Sequence, residues 1–288
     1  MSGVRNFEIQ DNSGAVRRRY ETGVLTEKMQ VCGGGLGYLP ICLVLVSFGT
    51  FIGSYIIAIL KHDVAIYFPY ISDTGTKPPE SCIFGQFLNI AATLAFCTMY
   101  VRYKLVASLT GNEDTKLRRL NNAGLVLGTL SSLGLSIVAN FQETVVEPVH
   151  LTGASLVLGC GVVYEFVQTY VTYQMHPDFN GQFIARIRLL ISVISAIGMV
   201  MAFTSAGISR YQTDTKDKLH WKPDEKGFTA HIVSTMSEWV TAAFFLFYFF
   251  TYVRDFQKVN VQVKAELRVR HLDEHPYQIP DERSPLLA

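Results

Sequence analysis

Six stretches of this chain are apolar over the length a membrane helix needs, with short polar connections between them. They run over 38–60, 82–101, 120–141, 149–173, 187–208 and 228–253. A bilayer's hydrocarbon core, about 30 Å thick, asks for roughly 20 apolar residues at 1.5 Å of rise each, and every stretch meets that demand. The first, Tyr38 to Leu60, carries no charge. Inside a bilayer no water satisfies the backbone, so such a segment closes its own hydrogen bonds as a helix. The pattern predicts an all-α, polytopic membrane protein: a six-helix transmembrane bundle over 38–253, an N-terminal tail of residues 1–37 and a C-terminal tail of residues 254–288. The polar leader lacks the short apolar core of a cleavable signal peptide. The first span is therefore expected to direct insertion itself, and the leader to be disordered.

Composition supports this class. With 49% hydrophobic and 17% charged residues and a mean hydropathy of +0.23, the chain is too apolar for an ordinary soluble domain. A net charge of +1, with basic residues dealt out between apolar blocks, argues against a nucleic-acid partner. Five cysteines are neither spaced as a zinc ribbon nor dense enough for a disulfide scaffold. Cys42, Cys97 and Cys160 fall within apolar runs, where buried thiols are expected.

Lys and Arg set the orientation, because cytosolic connections retain them. With the N-terminus in the cytosol, 18 of the 25 fall in the two tails and in the 102–119 and 174–188 connections. Both termini are therefore expected to be cytosolic. Basic residues at the inner boundary, Arg102, Lys104, Arg118, Arg119, Arg186, Arg188, Arg254 and Lys258, are read as topology determinants that attract anionic lipid weakly. Small residues at Gly49 and Gly53, Gly124 and Gly128, and Gly198, Ala202 and Ala206 are expected to let helices approach closely. Gln86, Asn89, Asn121, Asn122 and Asn140 are expected to bond across helices.

Ionisable groups at membrane depth are costly and therefore mark candidate sites. Glu238 lies ten residues into the sixth span, about 15 Å deep at helical rise. His231, Ser234, Thr235 and Glu238 share one helix face, which must meet protein or water. Glu165 is a second intramembrane carboxylate, nearer the cytosolic end of the fourth span. Glu165, His231 and Glu238 form a candidate polar site, read as an interhelical lock, a relay for protons or ions, or a pocket for a lipid headgroup. Four histidines, His62, His150, His220 and His231, fall on or near the lumenal side, where acidification would charge them. No P-loop, zinc ligand set, dinucleotide fingerprint or nucleophile with its base is present. No catalytic, cofactor or metal residues are expected, and the chain is not expected to be an enzyme.

Several ordered strings resemble one family. Pro69-Tyr70-Ile71-Ser72-Asp73-Thr74-Gly75, Tyr100-Val101-Arg102-Tyr103-Lys104, Gly134 to Gln142, Leu219-His220-Trp221, Glu238-Trp239 and Arg254-Asp255-Phe256-Gln257 are similar to the DNA-damage-regulated autophagy modulators. The wider group of six-span proteins includes members in GPI-anchor remodelling and lipid signalling. The resemblance implies a lysosomal or late endosomal membrane protein that promotes autophagy, with unidentified autophagy machinery and membrane lipids as partners. It marks Pro69, Tyr70, Ser72, Asp73 and Gly75 as a lumenal family loop and supplies no catalytic residue.

The last residues, Glu282-Arg283-Ser284-Pro285-Leu286-Leu287, resemble an acidic dileucine signal read by a clathrin adaptor, with Glu282, Leu286 and Leu287 as its determinants. Two rival functions stay open: a lipid-remodelling or lipid-binding protein, and a proton-coupled transporter or channel joining His231, Glu238 and Glu165.

Overall fold

The computed structural model describes residues 29–30, 35–110, 114–214, 217–258 and 262–263. Six helices in it are long and apolar enough to cross a membrane: Tyr38–Leu60, Glu80–Thr110, Thr115–Asn140, Glu147–Gln174, Gln182–Gln212 and Phe228–Phe256. They are called the first to sixth spans. The second and fifth run to 31 residues each, about 46 Å at helical rise, so their polar ends project past the hydrocarbon. The apolar cores alone are what the hydropathy pattern registers. Glu282, Leu286 and Leu287 lie outside the described residues, as does the leader's arginine run at 17–19.

Each span packs against its neighbours in sequence, and the sixth closes on the first, so chain order is also order round the bundle. The Leu36 N–H donates to Phe256 O at 2.9 Å, which places both ends of the bundle's chain at one end, the terminal end. The 61–79 and 213–227 connections meet at the other, the loop end, where the Ala65 N–H donates to Leu219 O at 2.8 Å. The bundle unit covers 34–259. A separate unit holds two short strands, Met29–Gln30 and Gln262–Val263, paired antiparallel.

Lipid supplies no hydrophobic drive between helices, so close contact and polar bonds must hold them. Gly134 and Gly153 are where the third and fourth spans touch backbone to backbone. A Cβ on Gly134 would sit 2.7 Å from Gly153 O. Asn89 and Asn140 bond across the second and third spans at 3.1 Å, and Ser136 Oγ donates to Asn89 Oδ1 at 2.7 Å. The fifth span sets its small-residue face on the sixth, with Gly198 against Thr241. Two expectations fail. Gly49 and Gly53 face open space, because the first span turns its other side, Ser47, Thr50 and Ser54, inward. Cys42 is exposed, and Cys97 and Cys160 are only half-buried, on faces turned toward lipid, where a thiol is as well solvated as in a core.

The fourth span is not uniform. Leu156–Cys160 is a π-helical segment between two α-helical halves, Glu147–Ser155 and Gly161–Gln174. The wider winding displaces the i to i+4 ladder, and Ser131 Oγ from the third span donates to Val157 O at 3.0 Å. Such segments occur often at functional sites.

Candidate functional site

Connections usually run over a surface because their backbone needs water. Here the first connection folds back into the bundle. Pro69 and all residues from Ile71 to Thr76 are buried, with Asp73–Gly75 forming one 3₁₀ turn. The turn satisfies itself: Thr74 Oγ1 donates to Ile71 O at 2.7 Å and Thr76 Oγ1 to Asp73 O at 2.8 Å. Gly75 lies against the Phe84 ring, where a Cβ would collide.

The spans supply the remaining bonds. Glu238 Oε2 accepts the Ile71 N–H at 2.9 Å, and the Trp239 indole N–H donates to Pro69 O at 2.9 Å. Tyr70 OH donates to Ser234 Oγ at 2.8 Å, which donates in turn to Ala202 O at 2.6 Å. Thr74 and Ser54 of the first span share a hydrogen bond of 2.8 Å. The loop thereby plugs the loop end of the bundle, and Glu238 is one of its anchors.

Above the plug lies a chamber of about 310 Å³ between the fourth, fifth and sixth spans, within the size range of small-molecule sites. His231 and Glu238 both line it, together with Tyr70, Ser72 and Asp73 of the loop. Trp221 stacks on His231 with ring centroids 4.4 Å apart, and Tyr70 meets the same imidazole edge-on at 5.2 Å. Ser72 Oγ donates to Glu143 Oε2 at 3.2 Å. Burial pushes the Asp73 carboxyl well above its ordinary pKa, and the nearby Glu143 and Glu238 carboxylates push it the same way. A second, apolar cavity of about 110 Å³ shares Ser72, His150, Ala154, Leu158 and Glu238 with the chamber and reaches between Leu43, Phe84 and Phe249.

Glu165 lines neither cavity. It is fully buried between the fourth and fifth spans, where Ser195 Oγ stands 3.5 Å from Oε1, while Oε2 has no hydrogen-bond partner among the described residues. Of the three sequence candidates, the fold brings His231 and Glu238 together and sets Glu165 apart.

The terminal end holds a cluster that sequence reasoning missed. Arg102 and Arg188, expected at the membrane surface, are both wholly buried. Arg102 NH1 donates to Asp255 Oδ2 at 3.2 Å and Arg188 NH2 to the same oxygen at 2.7 Å. Thr172 Oγ1 accepts from both guanidiniums, at 3.3 and 2.8 Å. Gln168 bonds Arg102 at 3.1 Å, Thr251 bonds Arg188 at 2.9 Å, and the Tyr252 ring lies 5.2 and 4.7 Å from the two guanidinium carbons. The surface reading fails because each arginine lies on the inward face of its helix, where one carboxylate and a ring of neutral acceptors replace water. The available signal was Asp255, an acid just past the apolar stretch 228–253 at the same end of the bundle as the two arginines.

The Frag1/DRAM/Sfk1/Cwh43P N-terminal domain matches residues 35–259, the whole bundle. The chain belongs to this family. Among its relatives, DNA damage-regulated autophagy modulator protein 2 of Rattus norvegicus is 47% identical over 258 residues, covering 88% of this chain and 96% of the relative. DNA damage-regulated autophagy modulator protein 1 of Homo sapiens is 40% identical, covering 81% and 96%. Modulator of macroautophagy TMEM150B of Danio rerio is 29% identical, covering 84% and 97%. No solved structure matches the chain. Within the family domain lie the plug loop, the chamber and the Arg102–Asp255–Arg188 cluster alike.

Proposed function

We propose that this protein is a multi-pass membrane modulator of autophagy that acts without catalysing a reaction. The observation that carries the reading is the extent of the likeness: the family match spans the complete six-span bundle, and a relative named as an autophagy modulator is 47% identical over 88% of the chain. The protein resides in the lysosomal or late endosomal membrane with both termini in the cytosol. This orientation puts the basic connections on the cytosolic side and the plug loop with its chamber in the lumen. Glu282, Leu286 and Leu287 then face a clathrin adaptor, and the autophagy machinery is engaged from the same side.

Autophagosome turnover in cells lacking the protein tests this reading. Turnover should fall, and wild-type protein should restore it. Normal turnover without the protein would remove the claim.

A second reading is lipid binding. It is favoured by the chamber between the fourth, fifth and sixth spans, where polar groups at the loop end adjoin an apolar cavity in the bundle. Lipid bound there would be the means by which the protein senses or alters its membrane.

A further inference from the structure

The chamber gathers more carboxyl groups than its own cations meet. Asp73, Glu143 and Glu238 all line it. Glu238 and Glu143 receive only neutral donors, the Ile71 N–H and the Ser72 hydroxyl. Its two permanent cations, Arg210 and Lys218, are both bound to Glu147. Among the described residues no ion pair reaches any of the three carboxylates. Gathered acids disfavour one another's charged forms, and a cation placed among them relieves that cost. Aromatic rings line the same chamber, with Trp221 and Tyr70 each in contact with His231. Aromatic faces attract an ammonium, and more strongly when water is excluded.

The side wall suits a lipid. The fourth and fifth spans pack together along Gly161–Gln174, but the half of the fourth span before Gly161 makes little contact with the fifth. The chamber occupies that parting, with Ala154 and Leu158 on one side and Ala202 and Ala206 on the other. Small apolar residues leave a chain room to pass, and the π-helical turn lies on the same edge.

We propose that the chamber binds the ammonium headgroup of a membrane lipid, its hydrocarbon chain leaving sideways between the fourth and fifth spans into the bilayer. The inference rests on the lipid-binding reading and specifies the headgroup. Two sources share this chemistry. A long-chain amine offers the ammonium alone. A zwitterionic phospholipid adds a phosphate, which would approach Arg210 and Lys218 at the rim.

The experiment uses the purified full-length chain in detergent and reads tryptophan emission, since both tryptophans lie at this end: Trp221 in the chamber wall and Trp239 of the sixth span bonded to the plug loop. Octadecylamine, octadecanol and octadecanoate share a chain and differ in head charge. Octadecylamine should bind at least about tenfold more tightly than the other two, roughly 1.4 kcal/mol. Glu143→Gln, on a half-buried connection residue, should remove most of that preference and leave octadecanol unchanged. Asp73→Asn serves if the first variant does not fold.

Dioleoylphosphatidylethanolamine binding more tightly than dioleoylglycerol would identify a phospholipid as the source; amine binding without that difference would identify a long-chain amine. Equal binding of amine and alcohol would overturn the ammonium assignment and leave lipid binding standing. Binding of none of the probes would overturn both. Ala206→Trp should block access, and unchanged amine binding by that variant would overturn the proposed route.

Discussion

The carboxylate of Glu238 and the backbone N–H of Ile71, 167 residues apart in the chain, meet at 2.9 Å. A sixth-span acid and a connection residue thereby become one structural unit. What reads as a costly intramembrane charge is a receptor for a folded-back loop.

Glu238→Ala should leave the Ile71 N–H without its acceptor and cost about 1–3 kcal/mol, the range for a buried donor left unsatisfied. Glu238→Gln keeps a carbonyl oxygen at the same reach and should cost much less. Unfolding in mixed micelles, with maleimide labelling of Ser72→Cys as a report on the loop, checks this. Equal labelling in the two variants would show that Glu238 does not hold the plug.

Among the described residues Asp255 is the single carboxylate paired with two buried guanidiniums. Asp255→Ala should destabilise the bundle by about 3–5 kcal/mol, because it strands buried charge. Arg188→Gln should cost less, since Arg102 still neutralises the acid. The double variant should fall well short of the sum, as one network contains both changes. Denaturant titration of the three proteins measures the coupling, and additivity would mean that the cluster is not a unit.

Acidification should stabilise the loop end. Asp73 has a folded pKa well above its ordinary 3.8, so the folded state binds the proton more tightly than the unfolded one. Its contribution to stability is fully present below about pH 4 and is lost as pH rises through the folded value. The charged groups facing it are Glu143, Glu238 and Lys218; His150, His231 and Arg210 line the same chamber. Melting temperature should fall between pH 5 and pH 7.5. Asp73→Asn should flatten that slope and raise stability at the upper end. A slope unchanged in the variant would assign it to another group.

On the proposed lysosomal or late endosomal residence, replacing Leu286 and Leu287 by Ala should shift the protein to the cell surface, measured by surface biotinylation. An unchanged steady state would count against a sorting role for Glu282, Leu286 and Leu287.

The spans, their order and their number were legible in the chain, because burial in a bilayer imposes about 20 apolar residues on every crossing whatever its neighbours do. Residues on one helix were legible too. The 3.6-residue period put His231, Ser234, Thr235 and Glu238 on one face, and all but Glu238, which lines the chamber, are buried. Partners across the bundle were not. Helical period says which residues share a face but not which face turns inward, and so Gly49 and Gly53 were read as packed when they face outward. Arg102, Arg188 and Asp255 each lie at the end of an apolar stretch, where snorkelling to water is the ordinary outcome. Only the packing of the second, fourth, fifth and sixth spans closes that route and makes them partners. The plug loop carries prolines and a glycine, as any surface turn does. Its burial depends on acceptors and donors that Glu238, Ser234 and Trp239 supply from the far end of the sequence.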